Sequence, residues 1–501
     1  MNRVNIKTQL VQAVAIVAVS TAFGILFDRF FYGKLPGLSF PLYVAGLVGG
    51  IIGLAHYFHQ KPSKAAWWLM IPLIGFATMV AVRASELLTL MNIAACLLLL
   101  LLIAKVAFRR RLTDMRVKDF MSIPFLPLQF LGPARHTFGH IAAKRKVVKF
   151  QPRTAQIVKG IALTVPVLVV FLFLFASADL IVQKYVNDLV SIEIDLELTA
   201  RLVLIVLATL GFIGGYSYLF SATKSDETPP ETSLKPLIGK VESTILFVSV
   251  NTLFFAFILV QLAYLFGGEA NISAQGFTYA EYARKGFFEL IAVAVVAFGL
   301  LWSAEKYIEK TERGHSTWFK FLSSALVLQV ILIMGSAFRR LYLYEQAYGF
   351  TTLRLYSHAF TVLLAVIFLI LAYKIIRSAS DQAFAFSALL AVIVFLAALN
   401  AINQDAFIAR QNLDRYHDTG KIDAVYLSQL SDDAVPVLVG GYSLLRPDDT
   451  KILGAELNRR RLDARSDAAR GWQAWNQSRA AADDALAGDA SRLQLYPGNR
   501  N

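Results

Sequence analysis

Three arginines, one carboxylate and four tyrosines stand where two long apolar runs, 318–338 and 355–376, should meet the edge of a bilayer. Their order is Arg339-Arg340-Leu341-Tyr342-Leu343-Tyr344-Glu345-Gln346-Ala347-Tyr348-Gly349, and then, after Phe350-Thr351-Thr352-Leu353, Arg354-Leu355-Tyr356. Charge near the hydrocarbon of a bilayer is expensive, about 2.5–3.5 kcal/mol per residue at the centre of a spanning helix and less towards its edge. If Gly349 ends a helix in the left-handed conformation, the chain reverses and Arg354 can return towards Glu345. One reading is then an ion pair that clips a helical hairpin, with the tyrosines as an interfacial belt. The other adds Arg339 and Arg340: three cations against one carboxylate suit a phosphate or carboxylate ligand held by forked hydrogen bonds. His358, just past Arg354, reads as a hydrogen-bonded interior histidine or as part of that site.

Two further clusters have helical or end-of-helix spacing. Glu281, Arg284, Lys285 and Glu289 share one helical face and make a stabilised helix entry. Were Glu289 to face the interior unpaired, burial would make it a proton-relay candidate. Asn400, Asn403, Asp405, Arg410 and Asn412 gather where the last apolar run ends, where capping and docking of the tail explain them as well as a ligand does. His136 and His140 could share a metal ion if their segment is helical, but no third ligand is near in sequence and no metal or cofactor is expected. The single cysteine, Cys96, lies in an apolar run and offers neither a disulfide nor a metal site. There is no His-Glu-x-x-His, Walker loop, Gly-x-Ser-x-Gly or dinucleotide fingerprint, which weighs against familiar soluble enzymes. Membrane transferases often lack such signals.

The elements that must carry these residues follow from composition. The chain has 501 residues, 56% hydrophobic and only 17% charged. Its apolar residues fall into about eleven blocks of roughly 18–26, each able to cross ~30 Å of hydrocarbon at 1.5 Å per residue. The blocks lie near 9–27, 38–58, 65–82, 86–108, 157–181, 201–221, 241–266, one ending near Trp302, 318–338, 355–376 and 383–402. The fold class is all-α: a polytopic transmembrane helix bundle with a small helical soluble tail at the carboxyl end. An amino-terminal bundle at 1–222 contains a basic loop, 109–156; a linker, 223–240, with Pro229-Pro230 leads to a second bundle, 241–403. The tail, 404–501, has helical patterns at 405–416, 424–430, 434–445 and 451–486. Gly46, Gly49, Gly50 and Gly53 fit close packing of membrane helices rather than a phosphate loop.

Charge then suggests an orientation. From Arg109 to Arg153 eleven Lys and Arg face two Asp, so much of the net +14 sits in one loop, as for a cytoplasmic loop attracted to anionic lipid and not for a nucleic-acid binder. Its short apolar patch, Phe125 to Leu131, is expected to lie on the membrane surface. Asp188, Glu193, Asp195 and Glu197 suit the outer face, and Lys374 and Arg377 the inner one. An uncleaved first helix with a cytoplasmic amino terminus follows, and with eleven spans an extracytoplasmic carboxyl terminus. Arg339, Arg340 and Arg354 then fall outside, against the usual charge rule.

Thr278 to Glu289, Tyr342 to Tyr356 and Asn400 to Asn412 resemble signature stretches of a bacterial integral-membrane family catalogued as a domain of unknown function, the DUF four-one-seven-three and four-one-five-three group. The resemblance covers the second half of the chain and implies a bacterial inner-membrane protein without supplying an activity. The expected partners are membrane lipids, an anionic small molecule or lipid, and a protein partner through the tail. The leading expectation is a non-enzymatic protein that binds, transports or senses an anionic envelope-related ligand. The alternatives are a membrane-embedded transferase acting on a lipid-linked substrate and a structural scaffold.

Overall fold

The computed structural model describes residues 3–108, 111–144, 196–221, 238–266, 287–308, 317–466 and 471–497. Among the described residues every regular element is a helix, and one isolated bridge joins Ile238 to Ile308. In chain order the first helices are α1 (Arg3–Phe31), α2 (Ser39–Tyr57), α3 (Lys64–Val82), α4 (Glu86–Val106), α5 (Val117–Met121) and α6 (Leu131–Lys144). There follow α7 (Leu196–Phe220), α8 (Lys240–Phe266), α9 (Phe287–Tyr307), α10 (Thr317–Tyr348), α11 (Thr352–Arg377) and α12 (Asp381–Ile402). The tail holds α13 (Gln404–Thr419), α14 (Ala424–Ser428), α15 (Val435–Gly441), α16 (Pro447–Ser466), α17 (Gln477–Gly488) and α18 (Ala490–Leu493).

Among the described residues ten helices, α1 to α4 and α7 to α12, are long and apolar enough to cross a membrane. Trp68 and Val296 are each 72% exposed on them, a waste of apolar surface in water and none in hydrocarbon. The chain is a multi-pass membrane protein of the all-α class. The span expected at 157–181 lies outside the described residues, as do Asp188, Glu193 and Asp195 and most of the linker.

Two compact units divide the chain. One comprises Met1–Gly33, Gly46–Lys61 and Phe125–Ala222. In it α1 packs along α7 and α6. Phe23 lies 6.1 Å from Phe212 and 6.3 Å from Tyr216, and a Cβ on Gly50 would meet both Phe23 and the Tyr216 hydroxyl at under 3 Å, so the glycine row serves close packing. Asp28, almost fully buried, accepts from Arg201 Nε at 3.0 Å and Nη2 at 2.7 Å, a forked pair between α1 and α7. Phe125, Leu128 and Leu131 face outward while Leu126 is buried, so the short apolar patch is two-faced. His136 and His140 do share one face of α6, with ring centroids 6.3 Å apart, and no third metal-ligating group joins them among the described residues.

The other unit comprises Lys34–Ala45, Pro62–Pro124 and Thr223–Asn501. Phe247 of α8, Leu301 of α9, Leu326 and Val330 of α10, and Phe368 and Leu371 of α11 make its membrane core. A second core belongs to the tail: Ile408, Leu427, Leu438, Tyr442, Leu453, Leu457 and Leu486. Each fully buried leucine there stabilises the tail by about 1.5–3 kcal/mol over an exposed one. That is what folds a segment otherwise so polar.

Three expectations change. The run 318–338 continues as helix to Tyr348, so the Arg339–Tyr348 stretch forms the last three turns of α10 and not a connection. The single helix expected at 451–486 is broken, because Asn476 caps a new start by accepting from the Ser478 and Arg479 N–H groups. Lys374, expected as a flanking inner charge, is buried and pairs with Glu305 of α9 at 2.5 Å and with Asp381 of α12. Opposite charges from three helices meet there, which compensates the burial of a lysine in the last turn of α11.

Candidate functional site

The hairpin between α10 and α11 forms as its glycine requires. Gly349 has φ +84° and donates its N–H to the Glu345 carbonyl at 2.7 Å, and the chain then turns. Thr351 caps α11 by accepting from the Arg354 N–H at 3.4 Å. The pairing across the turn is another matter. Glu345, 2% exposed, meets His358, with Oε2 and Nε2 3.0 Å apart, and not Arg354. Arg354 donates to the Gly349 carbonyl, and its guanidinium lies 4.2 Å from the centre of the Tyr344 ring.

The physical reason is the end of α10. Its last carbonyls have no partner within the helix, and a helix carboxyl end carries roughly half a negative charge. Arg415 of α13 supplies what is missing: Nε donates to Gln346 O at 2.9 Å, Nη2 to Ala347 O at 2.6 Å and Nη1 to Lys421 O at 3.0 Å. Arg354 and Arg415 thus converge on one helix end. Burial, with the Arg354 charge adding to it, holds the Arg415 guanidinium below its ordinary pKa. Neither arginine forms an ion pair with a carboxylate among the described residues.

The other arginines part company. Arg340, buried, donates through Nη2 to Gln261 Oε1 of α8 at 2.5 Å, and the Ser336 hydroxyl reaches the same oxygen at 3.1 Å. Arg339 is exposed, 5.3 Å from the centre of the Tyr342 ring. Glu281 and Arg284 lie outside the described residues. Glu289 sits on the exposed face of α9, so it is not the interior proton carrier considered from its spacing.

The asparagines and Asp405 lie in a second polar junction, where α3, α4, α12 and the tail meet. Asn400 exchanges amide hydrogen bonds with Asn92 at 2.8 Å, while its carbonyl accepts from Arg83 Nε at 2.9 Å and Nη2 at 2.7 Å. Asn403, at φ 53°, ends α12 and caps α13. Asn412 brackets the turn, accepting from Phe350 N at 3.0 Å and donating to Phe350 O at 2.8 Å. Asp433 accepts from the N–H groups of Ala84 and Ser85 at 2.8 and 2.9 Å and from the hydroxyls of Ser431 and Ser478. Asn476 donates to Val80 O and Arg83 O, closing the end of α3. Arg410 is exposed. The asparagines therefore work as caps and docking groups.

Asp405 differs from its neighbours. It is 5% exposed, its Oδ2 accepts from Ser431 N at 3.2 Å, and its Oδ1 has no hydrogen-bond partner. Burial drives its carboxyl above the ordinary carboxylate range; Asp433 adds to that, while hydrogen bonds from Ser431 and the charge of Arg460 oppose it.

Spacing missed Arg415, Gln261, Arg83, Asp433 and Asn476, which lie far along the chain from the helix ends or side chains they contact. Ser431-Asp432-Asp433 has the residue types of a local cap, yet the Asp433 carboxylate accepts from Ala84 and Ser85 in the turn before α4, across almost 350 residues. No curated protein and no solved structure matches the chain. A family model described as a domain of unknown function matches residues 70–440, from within α3 through the α10–α11 hairpin to α15, and the chain belongs to that family, DUF4153.

Proposed function

We propose that this is a bacterial inner-membrane protein that binds an anionic head group at the carboxyl end of α10, as a step in transporting or sensing an envelope-related ligand. The observation that carries the reading is the convergence of Arg354 and Arg415 on the terminal carbonyls of one helix without a carboxylate partner. Two guanidinium charges exceed the roughly half charge that a helix end offers, so positive excess remains for a phosphate or carboxylate group. Exposed Arg339 and the Tyr344 and Tyr348 rings, 4.8 Å apart, add a cation and an amphipathic surface of the kind found at lipid head groups. The basic loop 109–156 supports a cytoplasmic amino terminus, and on that orientation, with the span read from the sequence at 157–181 counted among those before it, the end of α10 is extracytoplasmic.

A second reading, a membrane-embedded transferase on a lipid-linked substrate, draws on Asp405 with its unpartnered oxygen beside Asp433. It is the weaker one, because Asp433 is already committed to four donors.

The test is native mass spectrometry of the purified full chain with phosphatidylglycerol and phosphatidylcholine. Arg339→Ala and Arg415→Gln are expected to lower phosphatidylglycerol occupancy by about tenfold each, corresponding to about 1.4 kcal/mol. Phosphatidylcholine should change little. Equal loss of both lipids, or no loss in the Arg339 variant while the protein stays folded, would remove the electrostatic basis of the proposal.

A further inference from the structure

The Glu345–His358 pair is not used in binding the head group, and its geometry has a chemistry of its own. Oε2 of Glu345 and Nε2 of His358 are 3.0 Å apart, which leaves one further hydrogen-bonding atom on each side chain. Both of these, Glu345 Oε1 and His358 Nδ1, are buried without a hydrogen-bond partner. The glutamate side chain is 2% exposed and the imidazole 12%. A buried carboxylate or imidazole nitrogen normally finds a partner, so two open positions at opposite ends of one pair are unusual.

Among the described residues, the charged groups on the neighbouring elements bond or face elsewhere. Arg340 is held by Gln261, Arg354 by Gly349 and Tyr344, and Arg415 by the α10 carbonyls. Glu289 of α9 is exposed, and Asp405 of α13 bonds to Ser431. Phe338 lies against the imidazole, with ring centroids 4.2 Å apart.

We propose that Glu345 and His358 form a two-residue proton relay at the end of the α10–α11 hairpin. With Nε2–H donating to the carboxylate, a proton from water binds at Nδ1. The Nε2 proton then passes to Oε2, leaving a neutral imidazole and a carboxylic acid. Rotation about the carboxyl carbon bond presents that proton at the Oε1 position, where water accepts it and the carboxylate returns. Reorientation of the ring restores the first tautomer and completes the transfer; passage of a proton in the reverse direction would restore it too but would cancel the transfer. One proton enters and one leaves, and the pair carries no net change in charge after the cycle. The relay stands independently of head-group binding and would make any transport through this unit sensitive to the proton gradient.

The experiment is infrared and nitrogen NMR titration of the full-length protein in lipid nanodiscs, with ring-labelled histidine, between about pH 5 and about pH 8. The carboxylic acid band that is lost in Glu345→Gln and the signal lost in His358→Asn identify the two groups. A relay predicts that both groups report the same midpoints in the unmodified protein, because strongly coupled sites titrate as a pair. It also predicts that His358→Asn moves the carboxyl midpoint by at least about one pH unit, a tenfold change in proton affinity. Independent midpoints in the unmodified protein, or a band that neither titrates nor exchanges in heavy water, would overturn it. Arg339→Ala, the head-group variant, should leave the titration where it was, so the two proposals fail separately.

Discussion

The side-chain amides of Asn92 and Asn400 donate to each other at 2.8 Å in both directions, joining α4 to α12 where neither residue is more than 1% exposed. Each amide answers the other inside an apolar bundle, so removing one strands a buried donor and acceptor. Asn92→Ala is expected to cost about 1–3 kcal/mol. Replacing both by leucine should recover most of that loss, since two matched apolar groups leave nothing unsatisfied. Thermal unfolding in detergent reads both variants. A single variant as stable as the parent protein would show that the amide pair is not holding the helices.

Asp433 ties the tail to the α3–α4 turn. The residue is 5% exposed, and its carboxylate accepts from the N–H groups of Ala84 and Ser85 in the turn before α4, with Arg83 at 4.0 Å. Asp433→Ala removes at least two charge-assisted bonds of about 1.5–3 kcal/mol each, so a loss of about 3 kcal/mol or more is expected. The tail should loosen before the membrane spans do. Limited proteolysis would show this as early cleavage after Asn403 with the hydrophobic fragment left intact.

The raised carboxyl of Asp405 makes a prediction about pH. In the folded protein it holds its proton more tightly than in the unfolded chain. The stability this gives is fully present below the ordinary aspartate value, about 3.9, and is lost as pH rises through the higher folded value. Asp405→Asn, which cannot ionise, should match the parent in acid and exceed it near neutrality. Stability measured across pH in one detergent reads the difference. Parallel curves for the two proteins would mean that the carboxyl is not strained by burial.

Lys374 is 2% exposed between Glu305 and Asp381. Breaking a buried pair on one side strands the other charge, so Lys374→Met is expected to cost about 3–5 kcal/mol. Adding Glu305→Gln should return part of it. Unfolding midpoints of the single and double variants decide the matter: if the second change lowers stability further, the charges are not coupled.

Much of the architecture was legible because hydrocarbon imposes a length and composition that a chain cannot disguise. The ten described spans begin and end within a few residues of the apolar blocks for the most part, and Gly349 ends its helix as its residue type requires. The exception is α10, which runs ten residues past its apolar block because polar residues at a membrane edge need not break a helix. Arg354 and Glu345 stand out in the sequence by residue type and place, but their partners do not. Spacing alone makes a cation and a carboxylate on either side of a turn look like partners.

Membrane insertion, the helical class and the position of the hairpin are local properties, set by hydropathy over some twenty residues and by one glycine. Partner choice is not local. Glu345 takes His358 because that imidazole comes to lie over the same face of α10, and Arg354 is drawn to the carbonyls that the helix end leaves open. Arg415 and Asp433 reach helix ends brought to them only by packing of the tail, across about 70 and almost 350 residues of chain. Helix-end groups accept any well-placed donor or acceptor, whatever its distance in sequence, so three-dimensional proximity alone selects it.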